Sequence, residues 1–135
     1  GTVRIYNSPR KGPIARKMMV IKVCYEREKC YLELCRALKE EPLYKYIIEC
    51  LGCFTKSDTQ FCIDLEPAET DLHRAAVNVD DTPTKCTQWF RDDDSFDRAI
   101  TDTLSGLMFL HEHVNIFHND IKPANLLLVK SDDAP

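Results

Sequence analysis

Apolar and polar positions alternate between two rhythms along this chain. Val3 to Tyr6 is short and β-prone, and Asn7-Ser8-Pro9-Arg10-Lys11-Gly12-Pro13 carries the residues of a turn, which predicts a hairpin. Ile14 to Val23 is apolar with Lys17 and Lys22 as interruptions, the pattern of a strand with one buried face. The period then changes. Glu28, Tyr31, Leu32, Cys35 and Leu38 fall at helical spacing within Tyr25 to Lys39, and Pro42 stands just beyond as a stop. Ile47 to Phe54 and Phe61 to Leu65 are the next two predicted strands, joined by polar residues 55–60 as a second hairpin.

The second half is patterned differently. Pro67 to Asp94 is more polar and holds Pro67 and Pro83, so it is expected to be a linker with at most one short helix. Its closing triplet Asp92-Asp93-Asp94 could be a metal cluster or the acidic start of a helix, and the dipole of the helix that follows favours the second. Ser95 to His113 is that helix, with Ile100, Leu104, Leu107, Met108 and His111 on one face that needs a covering partner. Val114 to Val129 reads as a loop ending in the apolar run Leu126-Leu127-Leu128-Val129, and Lys130 to Pro135 as a polar tail.

Composition narrows the function. A chain of 135 residues with 44% hydrophobic content can build a core, and a net charge of -4 argues against a general polyanion binder. No apolar stretch is long enough for a membrane span, and no N-terminal segment has signal-peptide character. Neither nucleic acid nor membrane is expected as a partner. Seven cysteines, an odd number without a secretory signal, point to free thiols in the cytoplasm or nucleus. Cys50 and Cys53 have the C-x-x-C spacing of a zinc or redox pair, but no second C-x-x-C exists and the segment is apolar, so core packing is the preferred reading.

The densest chemistry lies at His118-Asn119-Asp120-Ile121-Lys122-Pro123-Ala124-Asn125. An aspartate can accept the proton of an attacking hydroxyl, a lysine two residues on can neutralise a moving phosphoryl group, and an asparagine oxygen can ligate magnesium. A polar turn fixed by Pro123 and capped by Asp120 and Asn125 would have the same composition. Order and context decide between them. The segment resembles the catalytic loop H-R-D-L-K-P-x-N of eukaryotic-type protein kinases of Ser/Thr type, and the elements before it follow the order of a kinase small lobe.

The resemblance implies an α+β fold: a small lobe at 1–66, with an antiparallel sheet and one helix; a hinge and linker at 67–94; and the start of a helical lobe at 95–135. It implies ATP and Mg²⁺ as cofactors and a protein substrate, with Asp120 as base, Lys122 on the γ-phosphate and Asn125 on the metal. Ala15-Arg16-Lys17 resembles the end of the V-A-I-K strand, making Lys17 the ATP lysine and Glu28 its helix partner; Met19-Val20-Ile21-Lys22 leaves Lys22 as the alternative. Gly1-Thr2-Val3 resembles the end of the Gly-rich loop, placing Val3 and Ala15 against the nucleotide. Leu65 matches the gatekeeper, Glu66, Pro67 and Ala68 the hinge facing adenine, and Asp71 the acid that often faces ribose.

Three departures change the expectation. Asn119 replaces the arginine before the catalytic aspartate, which removes the usual link to a phosphorylated activation loop. Lys17 and Glu28 are closer in sequence than the family's habit. No D-F-G or A-P-E follows Asn125, so these residues by themselves are expected to be weak or inactive in catalysis. Competing readings are a small-molecule kinase, which usually lacks the lysine at the position of Lys122, a noncatalytic pseudokinase fragment that binds nucleotide or a partner, and a cysteine-based module.

Overall fold

The computed structural model describes residues 1–10, 12–76 and 93–129, and the chain divides into two compact units, Gly1–Pro67 and Ala68–Pro135. In the first, strands β1 (Thr2–Ser8), β2 (Gly12–Met19), β3 (Cys50–Ser57) and β4 (Gln60–Leu65) form one antiparallel sheet in the order β1-β2-β4-β3. The predicted hairpins are both present. At the first, Ser8 pairs with Gly12, whose φ of 72° suits a residue without a Cβ.

Helix α1 (Lys22–Ala37) covers one face of this sheet. Met19, Tyr25, Cys50, Phe61 and Ile63 form the core, with Leu32, Cys53 and Leu65 packed against it. Tyr25 stacks on Phe61 with ring centroids 5.1 Å apart, so the helix is seated on the sheet through one aromatic pair.

Three boundaries differ from the sequence expectation. The strand read as Ile14 to Val23 stops at Met19, and Lys22 and Val23 already belong to α1, because Val20 and Ile21 alone make the connection. The helix accordingly runs three residues earlier at its start than the predicted Tyr25 and ends at Ala37 rather than Lys39. The strand read from Ile47 begins at Cys50, since Pro42–Tyr46 forms a 3-10 turn that carries Ile47 and Ile48 into the sheet as half-buried connection.

The second unit is mainly helical. Strand β5 (Thr70–Asp71) and helix α2 (Leu72–Ala76) occupy a stretch read as linker, and β5 pairs with β6 (Leu127–Leu128) as a two-stranded sheet. Helix α3 (Asp93–Met108) passes into a wide π-helical turn, Phe109–Val114, where one continuous helix to His113 was expected. The turn buries Phe109 and Leu110, and Asn115, at φ 60°, ends it with its N–H on the Leu110 carbonyl. Asp93 and Asp94 lie in the first turn of α3, as the dipole argument requires, and no cluster of metal-ligating side chains occurs among the described residues. The rest of the predicted linker, with Pro83, Cys86 and Asp92, and the predicted tail lie outside the described residues.

Of the face expected from the sequence, Ile100, Leu104 and Met108 are about half exposed and His111 is exposed, while Leu107 is half-buried; Phe96, a turn earlier, is also about half exposed.

Candidate functional site

The site residues fall into two groups, one in each unit. In the first unit, strand pleating sets the geometry. Ala15 and Lys17, two apart on β2, share a face with their cross-strand partners Leu65 and Ile63 on β4 and Ile5 and Val3 on β1. That is the face α1 covers, and the helix brings Glu28 to it. Lys17 Nζ donates to both carboxylate oxygens of Glu28 at 2.7 Å. The ammonium has three donors and two are used here, which leaves one for an anion. Lys22 stands at the first turn of α1, so the geometry selects Lys17 as the paired lysine. The short interval between Lys17 and Glu28 is accounted for by the two-residue connection ahead of the helix.

Next to this ion pair the same face is apolar. Ala15 is buried, Leu65 half-buried, and Val3 and Ile5 are 55% and 58% exposed, so the apolar side chains beside the cation grade from buried at the sheet centre to open at the edge strand. Ile5 escaped the sequence reading, although its alternation with Val3 on an edge strand was the available signal. Gly1 lies close to this surface: a Cβ there would sit 2.7 Å from the Met18 carbonyl oxygen, so only glycine fits that approach.

At the end of β4, Glu66 is tied back on itself. Its N–H donates to the Glu49 carbonyl at 3.0 Å, and its side chain accepts from the Glu49 N–H at 2.8 Å. Of the hinge backbone groups the sequence pointed to, the Glu66 N–H is therefore already bonded within this unit. Ala68 is half-buried at the start of the second unit.

In the second unit, Asp120, Lys122 and Asn125 come together. Lys122 Nζ lies 3.0 Å from Asp120 Oδ2, and Asn125 Nδ2 donates both to the Asp120 carbonyl at 2.8 Å and to Oδ2 at 3.0 Å. Lys122 first and Asn125 second hold the Asp120 carboxyl below the usual carboxylate range, with the group open to water. Pro123–Asn125 forms a 3-10 turn, closed by the Asn125 N–H on the Lys122 carbonyl at 2.9 Å, which sets the asparagine back over the aspartate. The Asp120 N–H donates to His118 Nδ1 at 3.3 Å. Between them Asn119 has φ 60°, a left-handed conformation that asparagine adopts more readily than most residues.

This geometry bears on the metal. With both short contacts made through Nδ2, Asn125 Oδ1 remains as a hard oxygen donor of the kind magnesium takes, usually alongside one or two carboxylates, phosphates and waters. The donor set fits one protein ligand to such an ion. Asp71 behaves otherwise: its Oδ1 accepts from the Arg74 N–H at 2.9 Å and its Oδ2 faces Arg74 Nε at 3.4 Å, so it serves as the N-cap of α2.

The family model of the protein kinase domain matches residues 2–134. The chain belongs to the protein kinase domain family. No curated protein matches it at the level of a relative. The four-stranded antiparallel sheet with its helix, and the helical segment that follows, are the α+β fold expected of a kinase domain. Kinase domains in general use ATP and Mg²⁺ and act on proteins.

Two features of this kinase domain had no sequence signal. Arg16, on the opposite face of β2 from Lys17, makes a bidentate pair with Asp64 at 2.7 and 2.9 Å. Its guanidinium also lies over the rings of Tyr6 and Phe54, at 5.0 and 4.7 Å from their centroids. This cluster braces the central strands from the side away from the lysine.

Proposed function

We propose that this chain is the ATP-binding and catalytic-loop part of a protein kinase of Ser/Thr type, acting on protein hydroxyls in the cytoplasm or nucleus. The observation that carries the reading is the Asp120 cluster, in which a lysine two residues on and an asparagine five residues on both bond one carboxylate. Asp120 would accept the substrate hydroxyl proton, and its lowered pKa keeps it ionised and able to orient that group. Lys122, released from Asp120 by a more highly charged phosphoryl group, would neutralise charge there. Asn125 Oδ1 would hold a magnesium ion, which when bound supplies charge neutralisation between phosphates. In the first unit, Lys17 held by Glu28 would present its third donor to the nucleotide phosphates, while Val3, Ala15 and Leu65, on the same face, would supply apolar contacts to a base. Asp71 is a weaker candidate for ribose because it caps α2.

A second reading has its own support. Asn119 stands where the family's catalytic loop carries an arginine, so the usual link to a phosphorylated activation loop is not made through this position, which favours a noncatalytic module that binds nucleotide or a partner. The test is calorimetric titration of Mg²⁺-ATP into the chain, Lys17→Met and Lys22→Met, with phosphoamino-acid analysis of a generic protein substrate. Binding lost in the first variant and kept in the second supports the nucleotide site. Absence of binding in the parent chain overturns it, and phosphotyrosine as the product overturns the Ser/Thr assignment. Transfer without Asp120→Asn sensitivity removes the proposed base.

A further inference from the structure

The C-x-x-C of β3 takes no part in the phosphotransfer proposal, yet its geometry is unusual for a strand. Residues three apart on a regular strand point to opposite faces. Here Cys50 pairs with Leu65 and Gly52 with Asp64, so Leu51 is an extra, bulged residue, and the bulge turns Cys50 and Cys53 to the same face. Both thiols meet on the core side, their sulfurs 3.6 Å apart. Cys50 is buried and Cys53 is partly open to solvent.

We propose that Cys50 and Cys53 are a redox-convertible dithiol, closed to an intramolecular disulfide by a peroxide-class oxidant. In the first step the peroxide O–O bond breaks, an S–O bond forms on the more open Cys53, and water leaves. In the second the Cys50 sulfur attacks that sulfenic acid, the S–S bond forms as the S–O bond breaks, and a second water carries off the thiol proton. The two sulfurs together lose the two electrons that the peroxide gains. Contact between the sulfurs favours this outcome over further oxidation, because the sulfenic acid is formed with its resolving thiol already beside it. Closure brings the sulfurs from 3.6 Å to a bond of about 2.0 Å, with the bulged backbone taking up the movement, and it fixes the bulge covalently.

Burial first, and the hydrogen bond with Cys50 second, push the Cys53 thiol up to about 12. The thiolate is scarce at neutral pH, so the pair reacts slowly and responds to sustained rather than brief oxidant. The rate is expected to climb about tenfold per pH unit across the neutral to mildly alkaline range.

Residues 46–56 lie between Lys45 and Lys56 and hold both cysteines in one tryptic peptide, which gives a direct assay. The full chain is treated with hydrogen peroxide, its remaining thiols are alkylated, and the digest is read by mass spectrometry. The expected result is a peptide 46–56 that carries two alkyl groups before treatment, none after it, and two again when reduced before alkylation. Cys53→Ser is expected to give no internal disulfide. A run in urea separates fold from sequence: unfolding exposes both thiols and speeds their oxidation, so the quantity compared is the disulfide share of the oxidised peptide, which should fall well below that of the folded chain. The proposal is overturned if the peptide keeps both alkyl groups under oxidant sustained well beyond the time that oxidises Cys24 and Cys30, if sulfinic acid is the main product, or if the disulfide share in urea equals the folded one.

Discussion

Removing Asp64 should unsettle the central strands of the sheet in a way that removing an ordinary surface carboxylate would not. Its pair with Arg16 joins β2 to β4 by two short charge-assisted bonds, and the two side chains are only 26% and 15% exposed. The Asp64 hydrogen bond, more than the Coulombic attraction, raises the Arg16 pKa, the sign of a guanidinium held in its charged form. Such a bond contributes about 1.5 to 3 kcal/mol, above the roughly 0 to 1 kcal/mol of an exposed pair. The structure predicts that Asp64→Ala costs about 2 kcal/mol, leaving Arg16 between two rings without its counter-ion. Arg16→Ala should cost about 1 to 2 kcal/mol more, because it also loses its contacts with the Tyr6 and Phe54 rings at about 0.5 to 1 kcal/mol each.

Hydrogen exchange of the β2 and β4 amides, measured on both single variants and on the double variant, reads this unit alone and gives the coupling energy. The expected coupling is about 1.5 to 2 kcal/mol, and it should largely survive about 1 M salt, where exposed pairs are screened. A coupling under about 0.5 kcal/mol would refute the argument, as would an Asp64→Ala variant less stable than Arg16→Ala.

Other outcomes follow from the same geometry. Glu28→Gln keeps Lys17 but weakens its anchor, so Mg²⁺-ATP affinity should fall about tenfold, equivalent to about 1.4 kcal/mol, and less than in Lys17→Met; equal losses would show that Glu28 does more than hold the lysine. The Asp120 carboxyl, lowered chiefly by Lys122, should titrate by carbon NMR below the ordinary aspartate range and move upward in Lys122→Ala; since a depressed acid is ionised above its own pKa, it loses its charge only as pH falls through that lowered midpoint. Gly12→Ala places a Cβ at φ 72° and should destabilise the first hairpin by about 1 to 2 kcal/mol in thermal unfolding, whereas an unchanged midpoint would mean that the turn relaxes.

The legible parts of this molecule were those whose information is local. The residues proposed for the catalytic loop lie within eight consecutive positions, and their grouping around Asp120 needs only one tight turn, so sequence order carried most of the geometry. The hairpins were legible because turn residues punctuate alternating runs. The end of β2 was not, because Met18 to Val23 stays largely apolar and β-branched through a two-residue connection, and periodicity over so short a stretch cannot separate strand from helix start. The Lys17 choice therefore waited on where α1 begins. The Arg16–Asp64 pair joins residues 48 apart, and only strand register brings them together. The Leu51 bulge left no compositional mark, so the common face of Cys50 and Cys53 could not be read from their spacing.

The link at Val20 and Ile21 has a mechanical meaning. A helix hung from a strand by two residues has almost no slack, and it cannot swing outward as a body on a long, loose tether could. Any rotation of α1 must be taken up by twisting the end of β2 or unwinding its own first turn, within a few residues of Lys17. Lysine and glutamate thus sit on the two arms of one stiff joint. A ligand that pulls on the lysine is felt at once by the helix, and a partner that grips the helix has direct leverage on the strand.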